Sequence, residues 1–519
     1  MSALRLAQQP GSVRAIDAEV RVAVRLADTQ HLGWRPIGRP RGIRRIVHAI
    51  SSAVFRSGWN TSHKVRAAAI KHLEVCRQCH QRIVDGIELL QTDTDTRLAF
   101  AWMNKAMLEQ QLHYDLAANQ RRTWIANAGV LSLEKSYAPP NAESPPKGKG
   151  LWRPFQLAFI LMNLRSIAQR ESSEHDTVDL IWFPTGGGKT KAYLGLTAFT
   201  IFRRRLLNVH DSGTTVLMRY TLRLLTTQQF QRAASLICAC ELIRRNNEAR
   251  LGGTRISIGL WVEQSVTPNK NAEAVSALNT LLKNGKPNPF VILTCPWCGV
   301  EMGAVELGNS YRGKGYRKDG NQVVFRCEDP QCDFRDSHGL PLLVVDEAIY
   351  EERPTLLIGT VDKFAMLPWN PDARRLFGLD NLMPVSPPDL IIQDELHLIS
   401  GALGSMVGMC MKLCMKLVSN AQSATKQPSD AHKSLADCHF PKRYLVEPSV
   451  ALFSFFYSQS GRINHRTTKA STATGPGPRL TMAMVCLPEV RPFTSHTTCC
   501  AWRAPVVDKS AVARVWPSI

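Results

Sequence analysis

The stretch Val178-Asp179-Leu180-Ile181-Trp182-Phe183-Pro184-Thr185-Gly186-Gly187-Gly188-Lys189-Thr190 decides the fold class. A short apolar run ends in a glycine-rich turn, and from Lys189 to Leu207 apolar residues recur at helical spacing. Strand, flexible turn and helix in that order make a phosphate cradle. Gly186, Gly187 and Gly188 let the backbone approach an anion and aim N–H groups at it, with Thr185 opening the turn. The helix N-terminus adds a positive dipole end. Lys189 is placed to pair with the outer phosphates of ATP, and the Thr190 hydroxyl to ligate Mg2+. The strict form of this pattern begins with Gly, where this chain has Phe183.

Outward from the loop, Val216 to Met218, Ile256 to Trp261, Leu356 to Gly359 and Leu390 to Ile392 are further short apolar runs of buried-strand type. Helical segments such as Gln228 to Arg245 lie between some of them. Alternating strands and helices predict an α/β domain with a parallel sheet covered on both faces. Residues 1–137 read as a mainly helical, basic region that includes a flexible basic stretch from Arg35 to Arg45. Residues 138–150, rich in Pro and Gly, read as a linker. The α/β domain is expected over 151–408, with an insertion over 290–340.

Two apolar runs end in an acidic pair: Leu342 to Val345 before Asp346-Glu347, and Leu390 to Gln393 before Asp394-Glu395. Nucleotide hydrolysis needs such a pair at a strand end beside the phosphate loop, one carboxylate for Mg2+ and one for the attacking water. Position and chemistry alone leave both candidates open.

Cys295-Pro296-Trp297-Cys298 and Cys327-Glu328-Asp329-Pro330-Gln331-Cys332 form two knuckle-like pairs. Thiolates at the ends of tight turns suit tetrahedral Zn2+, and the four predict a closed, structural site. Gly299 supports the first turn, and in the polar, basic segment between the pairs zinc would provide the fold that a small core cannot. Cys76-Arg77-Gln78-Cys79-His80 formally matches a haem-attachment pattern, but that chemistry belongs to exported proteins.

The chain has 64 Lys+Arg against 43 Asp+Glu, a formal charge of +21, which predicts a polyanionic partner. No signal-like segment follows Met1, and no apolar run approaches a membrane span, so a cytoplasmic protein without membrane association is expected. In that compartment the 14 cysteines read as thiols or metal ligands before disulfides.

Taken in order, Trp152-Arg153-Pro154-Phe155-Gln156-Leu157-Ala158-Phe159, the glycine loop, Met218 to Phe230, the cysteine insertion, Pro354 to Ala365 and Pro387 to His397 resemble superfamily 2 helicases. They resemble specifically the DrmA-type helicases of the DISARM phage-defence systems, over roughly residues 70–408. The resemblance implies a RecA-like lobe, ATP-driven action on DNA, a DrmB-type partner protein and other DISARM components. It implies that Gln156 reads the adenine, and that Arg219, Thr221 and Gln228, then Thr360, Asp362 and Lys363, grip strand phosphates. Because the second gripping motif precedes the acidic motif in helicases, it also assigns Mg2+ to Asp394, the water to Glu395 and nucleotide sensing or coupling to His397. Asp346-Glu347 is then structural. Lys191 departs from the acidic residue expected there.

Such a motor draws arginines from a second lobe across the nucleotide. Residues 409–519 carry no convincing arginine motif: Gln459-Ser460-Gly461-Arg462 precedes Ser471-Thr472-Ala473-Thr474, the reverse of the order required. This segment reads as an out-of-frame or truncated end, with an atypical interaction tail as the other reading. The leading expectation is a helicase or translocase lobe. The alternatives are a nucleotide- and DNA-binding remnant without turnover, and a zinc-dependent DNA-recognition module that uses the loop as a switch.

Overall fold

The computed structural model describes residues 63–127, 129–146, 149–175, 177–181, 187–220, 223–365, 367, 370–379, 385–394 and 444–446. The chain divides into two compact units: Met1–Leu89 with Trp152–Arg165 and Thr481–Ile519, and Leu90–Leu151 with Ser166–Leu480.

Among the described residues two long helices come first, α1 (His63–Thr92) and α2 (Thr94–Asn119). Asp93 separates them, because its carboxylate accepts from the backbone of Asp95 and Thr96 and caps α2. A hairpin of β1 (Trp124–Asn127) and β2 (Val130–Leu133) follows, then α3 (Pro154–Ala168). Within the first unit α1 and α3 touch at Gly86. A Cβ there would lie 2.1 Å from the Leu161 carbonyl oxygen, so only hydrogen fits. An Arg165–Asp85 ion pair of 3.2 Å spans the same two helices. Every residue of α3 from Phe155 to Leu164 is buried, so the helix is covered on all its faces, with Leu157, Ile160 and Leu164 fully enclosed.

The second unit is built on β3 (Asp179–Leu180), α4 (Lys189–Leu207), β4 (Val216–Tyr220), α5 (Arg223–Arg245), α6 (Glu248–Leu251), β5 (Ile258–Trp261) and α7 (Asn271–Asn284). The cysteine insertion contributes two hairpins, β6 (Gly303–Leu307) with β7 (Ser310–Lys314) and β8 (Tyr316–Asp319) with β9 (Gln322–Phe325). The chain returns through β10 (Leu342–Leu343), α8 (Asp346–Glu352), β11 (Leu356–Thr360), α9 (Val361–Ala365), β12 (Leu390–Gln393) and β13 (Tyr444–Val446).

The sheet runs β10-β5-β11-β4-β12-β13-β3, with every neighbouring pair parallel. Each residue of β4, β5, β11 and β12 is buried, as a parallel sheet covered on both faces requires. Helices α4 and α5 pack on these strands, and α2 lies over both helices. α7 packs on the insertion through β6, β7 and β9. The expected α/β class with a parallel sheet is therefore what the chain forms. Two features were not expected: α2, from the basic N-terminal region, belongs to the same compact unit as the sheet, and Tyr444–Val446 supplies a strand between β12 and β3. Among the described residues, no helix is long and apolar enough to cross a membrane.

Candidate nucleotide site and metal centre

Gly188 caps α4 with a φ of 95°, a left-handed conformation that glycine adopts without strain. It turns the chain into the helix so that Lys189 and Thr190 occupy its first turn, and Lys191 N–H donates to the Gly188 carbonyl at 3.2 Å. Lys189 is buried at 7 % exposure. The strand β12 delivers Asp394, also buried, and Asp394 N–H donates to the Arg219 carbonyl at 3.1 Å. The Gln393 amide donates to the Asp394 carbonyl at 3.0 Å, further fixing the end of β12.

Thr190 and Asp394 meet through a residue the sequence reading did not single out. Tyr193, one turn along α4, has its hydroxyl 3.1 Å from Thr190 Oγ1 and hydrogen-bonded to Asp394 Oδ2. Burial pushes this phenol well above its ordinary range, and the neighbouring Tyr220 and Asp394 push it further, so it stays a neutral donor. The donor set is a hydroxyl and a carboxylate, both hard oxygens. Mg2+ takes one or two protein oxygens beside substrate phosphates and its own waters, so the residues present fit it. Of the other residues expected here, Gly187 and Gly188 are described, whereas Thr185, Gly186, Glu395 and His397 lie outside the described residues.

The ends of β4 and β11 and the segments that follow them hold the residues expected to grip a strand. Arg219 is fully buried, with its guanidinium 4.9 Å from the Phe364 ring centroid, and Phe364 stands edge-on to Trp261 at 5.2 Å. A Cβ at Gly359 would lie 3.0 Å from the Phe364 ring, so the ring packs closely on bare backbone there. Thr360 is buried, Asp362 is exposed, and Lys363 is ion-paired with Asp346 and donates to Asn269 Oδ1 at 3.2 Å. Thr221 and the Gln228 side chain lie outside the described residues. The second acidic pair is thus engaged locally: Asp346 holds Lys363, and Glu347 accepts from Asn271 N at 2.8 Å at the start of α7. Gln156 belongs to the other unit, where its side-chain oxygen accepts from Arg153 N at 2.9 Å and caps its own helix.

Cys295, Cys298, Cys327 and Cys332 are all buried, and their sulfurs lie within 4.8 Å of one another. A tetrahedral site with metal–sulfur bonds of about 2.3 Å has edges of about 3.8 Å, so the four can hold a metal ion such as zinc. Hydrogen bonds to the other three sulfurs, with burial, push the Cys332 thiol far above its ordinary range, and a bound divalent cation reverses that. The first knuckle is gripped from three sides. His113 on α2 stacks on Trp297 at 3.4 Å and its Nδ1 lies 2.8 Å from the Trp297 carbonyl oxygen. Ser235 on α5 donates to the Pro296 carbonyl at 2.6 Å. Arg122 donates from Nη2 to the Cys298 carbonyl at 2.9 Å and is ion-paired with the buried Asp329 in the second knuckle. Spacing announced the cysteines, whereas His113, Arg122 and Ser235 carried no sequence signal, because their partners are remote in the chain.

No family model matches the chain. The curated DISARM protein DrmA of Bacillus paralicheniformis is 36% identical over 384 residues, covering 66% of this chain and 32% of that protein. The chain therefore spans about a third of the length of the relative it matches.

Proposed function

We propose that this chain, DrmA-type over the 66% of its length that matches, is the nucleotide-binding lobe of an ATP-dependent DNA helicase or translocase in DISARM anti-phage defence. It would act beside a DrmB-type protein and other DISARM components. The observation that carries the reading is the convergence of Thr190 and Asp394 on one phenol at the mouth of a glycine-capped helix.

The backbone at Gly187 and Gly188 cradles phosphate, and Lys189 neutralises the outer phosphate oxygens. Thr190 and Asp394 would hold Mg2+, which would supply positive charge beside the phosphates. Glu395 orients the attacking water. Asp394 N–H is bonded to the Arg219 carbonyl, so a shift at the acidic strand reaches the loop that follows β4, where strand contact is expected. The charge of +21 supports a polyanionic partner, and the four clustered cysteines would hold zinc as a structural site.

A second reading, nucleotide binding without turnover, is favoured by Lys191. This residue places a cation beside Thr190 where the family implies an acidic group, and it donates to Gln111 Oε1 at 3.1 Å. ATP hydrolysis with and without single-stranded DNA separates the two. DNA-stimulated hydrolysis that Lys189→Ala abolishes supports the motor, tight binding without hydrolysis the second reading, and no nucleotide binding at all defeats both.

A further inference from the structure

We propose that Tyr193 is a positioning residue of the metal site, relaying a hydrogen bond from Thr190 to Asp394 so that both present oxygen to one cation. The inference rests on reading Gly187 to Thr190 and Asp394 as a nucleotide–metal site.

The phenol is 3 % exposed and lies between the two groups, 3.1 Å from Thr190 Oγ1 and bonded to Asp394 Oδ2. A phenol has one proton to give, and a carboxylate is the stronger acceptor. The Tyr193 proton therefore goes to Asp394, and the phenolic oxygen accepts the Thr190 proton. A hydroxyl ligates a cation only when a lone pair faces it and its proton points elsewhere. Tyr193 supplies that elsewhere. On the other side it engages Oδ2, which fixes the rotation of the carboxylate and so selects the oxygen that serves the metal or its waters. The three groups come from the two sides of the site: Thr190 and Tyr193 share a face of α4, and Asp394 directly follows β12. The relay therefore also ties the phosphate-loop helix to the acidic strand, across a sheet in which β13 separates β12 from β3.

The test measures binding of a fluorescent ATP analogue to the full chain, first in EDTA and then along a Mg2+ titration. Without the phenol, metal-free nucleotide affinity should stay within about twofold of wild type, because Lys189 and the loop are untouched. The Mg2+ concentration for half-saturation should rise about tenfold, the scale of one hydrogen bond to a charged group. Tyr193→Phe and Tyr193→Leu both remove the donor, so the test stands if either folds as judged by melting temperature. Tyr193→His, which returns a donor, should recover part of the loss. In a Thr190→Ala background, Tyr193→Phe should raise the Mg2+ requirement by less than in wild type. An unchanged Mg2+ requirement in the folded donor-less variants, with nucleotide binding intact, overturns the relay alone. Failure of the wild-type chain to bind nucleotide under any condition overturns the reading of the site, and the relay with it.

Discussion

The Lys363 ammonium is ion-paired with the Asp346 carboxylate, so a lysine of the segment after β11 is fastened to the first residue of α8, just beyond the strand by which the cysteine insertion rejoins the sheet. Asn269 shares the lysine, and Tyr350, 3.5 Å from Asp346 Oδ2, is fixed by Trp261 Nε1 at 2.9 Å. Asp346→Asn should cost about 3 kcal/mol in urea unfolding, since a buried cation loses its partner. If Lys363 meets DNA phosphate, the same change should tighten single-stranded DNA binding and steepen its salt dependence by about one counterion, read by anisotropy across salt concentrations. Unchanged DNA affinity and slope would leave Lys363 a structural residue.

A different buried pair gives a pH signature. Glu241 on α5 accepts from Arg244 Nε at 2.8 Å, Arg245 Nε at 3.0 Å and Ile256 N at 2.8 Å. Burial pushes its carboxyl up, but the bonds from Arg244, Ile256 and Arg245 outweigh burial and hold it below the ordinary range. A folded value below the unfolded one stabilises fully above the unfolded value, about 4.3, and the stabilisation fades as pH falls through the folded value. Glu241→Gln should therefore lose about 3 kcal/mol at neutral pH. The gap from wild type should shrink below pH of about 4. A gap that is constant with pH would show that the carboxylate charge is not what stabilises.

The cysteine cluster should bind one zinc per chain, measured by elemental analysis, with Cys295→Ser or Cys327→Ser losing it. Loss of metal should lower the melting temperature by about 10 °C, corresponding to several kcal/mol in a domain of this size. Hydrogen exchange should quicken in α2 near His113 and in α5 near Ser235, the two helices that hold the first knuckle. Faster exchange confined to the insertion would contradict this coupling.

Gly299 offers a test of the same interface without touching a ligand. Its φ is 75°, and a Cβ would lie 2.9 Å from Ala117 Cα on α2. Gly299→Ala should destabilise by about 2 kcal/mol or more, because both the backbone conformation and the close approach forbid a methyl group. Thermal melting at saturating zinc reads this directly, and a melting temperature within error of wild type would show that α2 yields.

Local pattern made much of the sheet readable in the sequence. Val216, Ile258, Leu356 and Leu390 each begin a strand near the expected place, because a doubly covered parallel strand reads as a near-continuous apolar run. Lys189–Leu207 is the helix that periodicity and the glycine turn announce. The cysteine pairs were legible from spacing alone. Tyr193 was not, because an aromatic residue within an apolar helix looks like core until Thr190 and Asp394 are seen on either side of it. Arg122 and His113 were hidden for the same reason, since each earns its place by a partner more than a hundred residues away. Lys363 was read as a phosphate ligand from its motif, and only three-dimensional proximity shows that Asp346 already holds it.

The grip of α2 on the first knuckle also orders events in time. His113 and Arg122 leave the ribosome long before Trp297 and Cys298, so they cannot adopt their final contacts until the cysteine insertion has been synthesised. Contacts of such sequence separation slow folding and leave apolar helix faces waiting in the meantime. If the four cysteines take up zinc, its supply during synthesis would then govern how much of this protein matures, independently of how stable the finished molecule is.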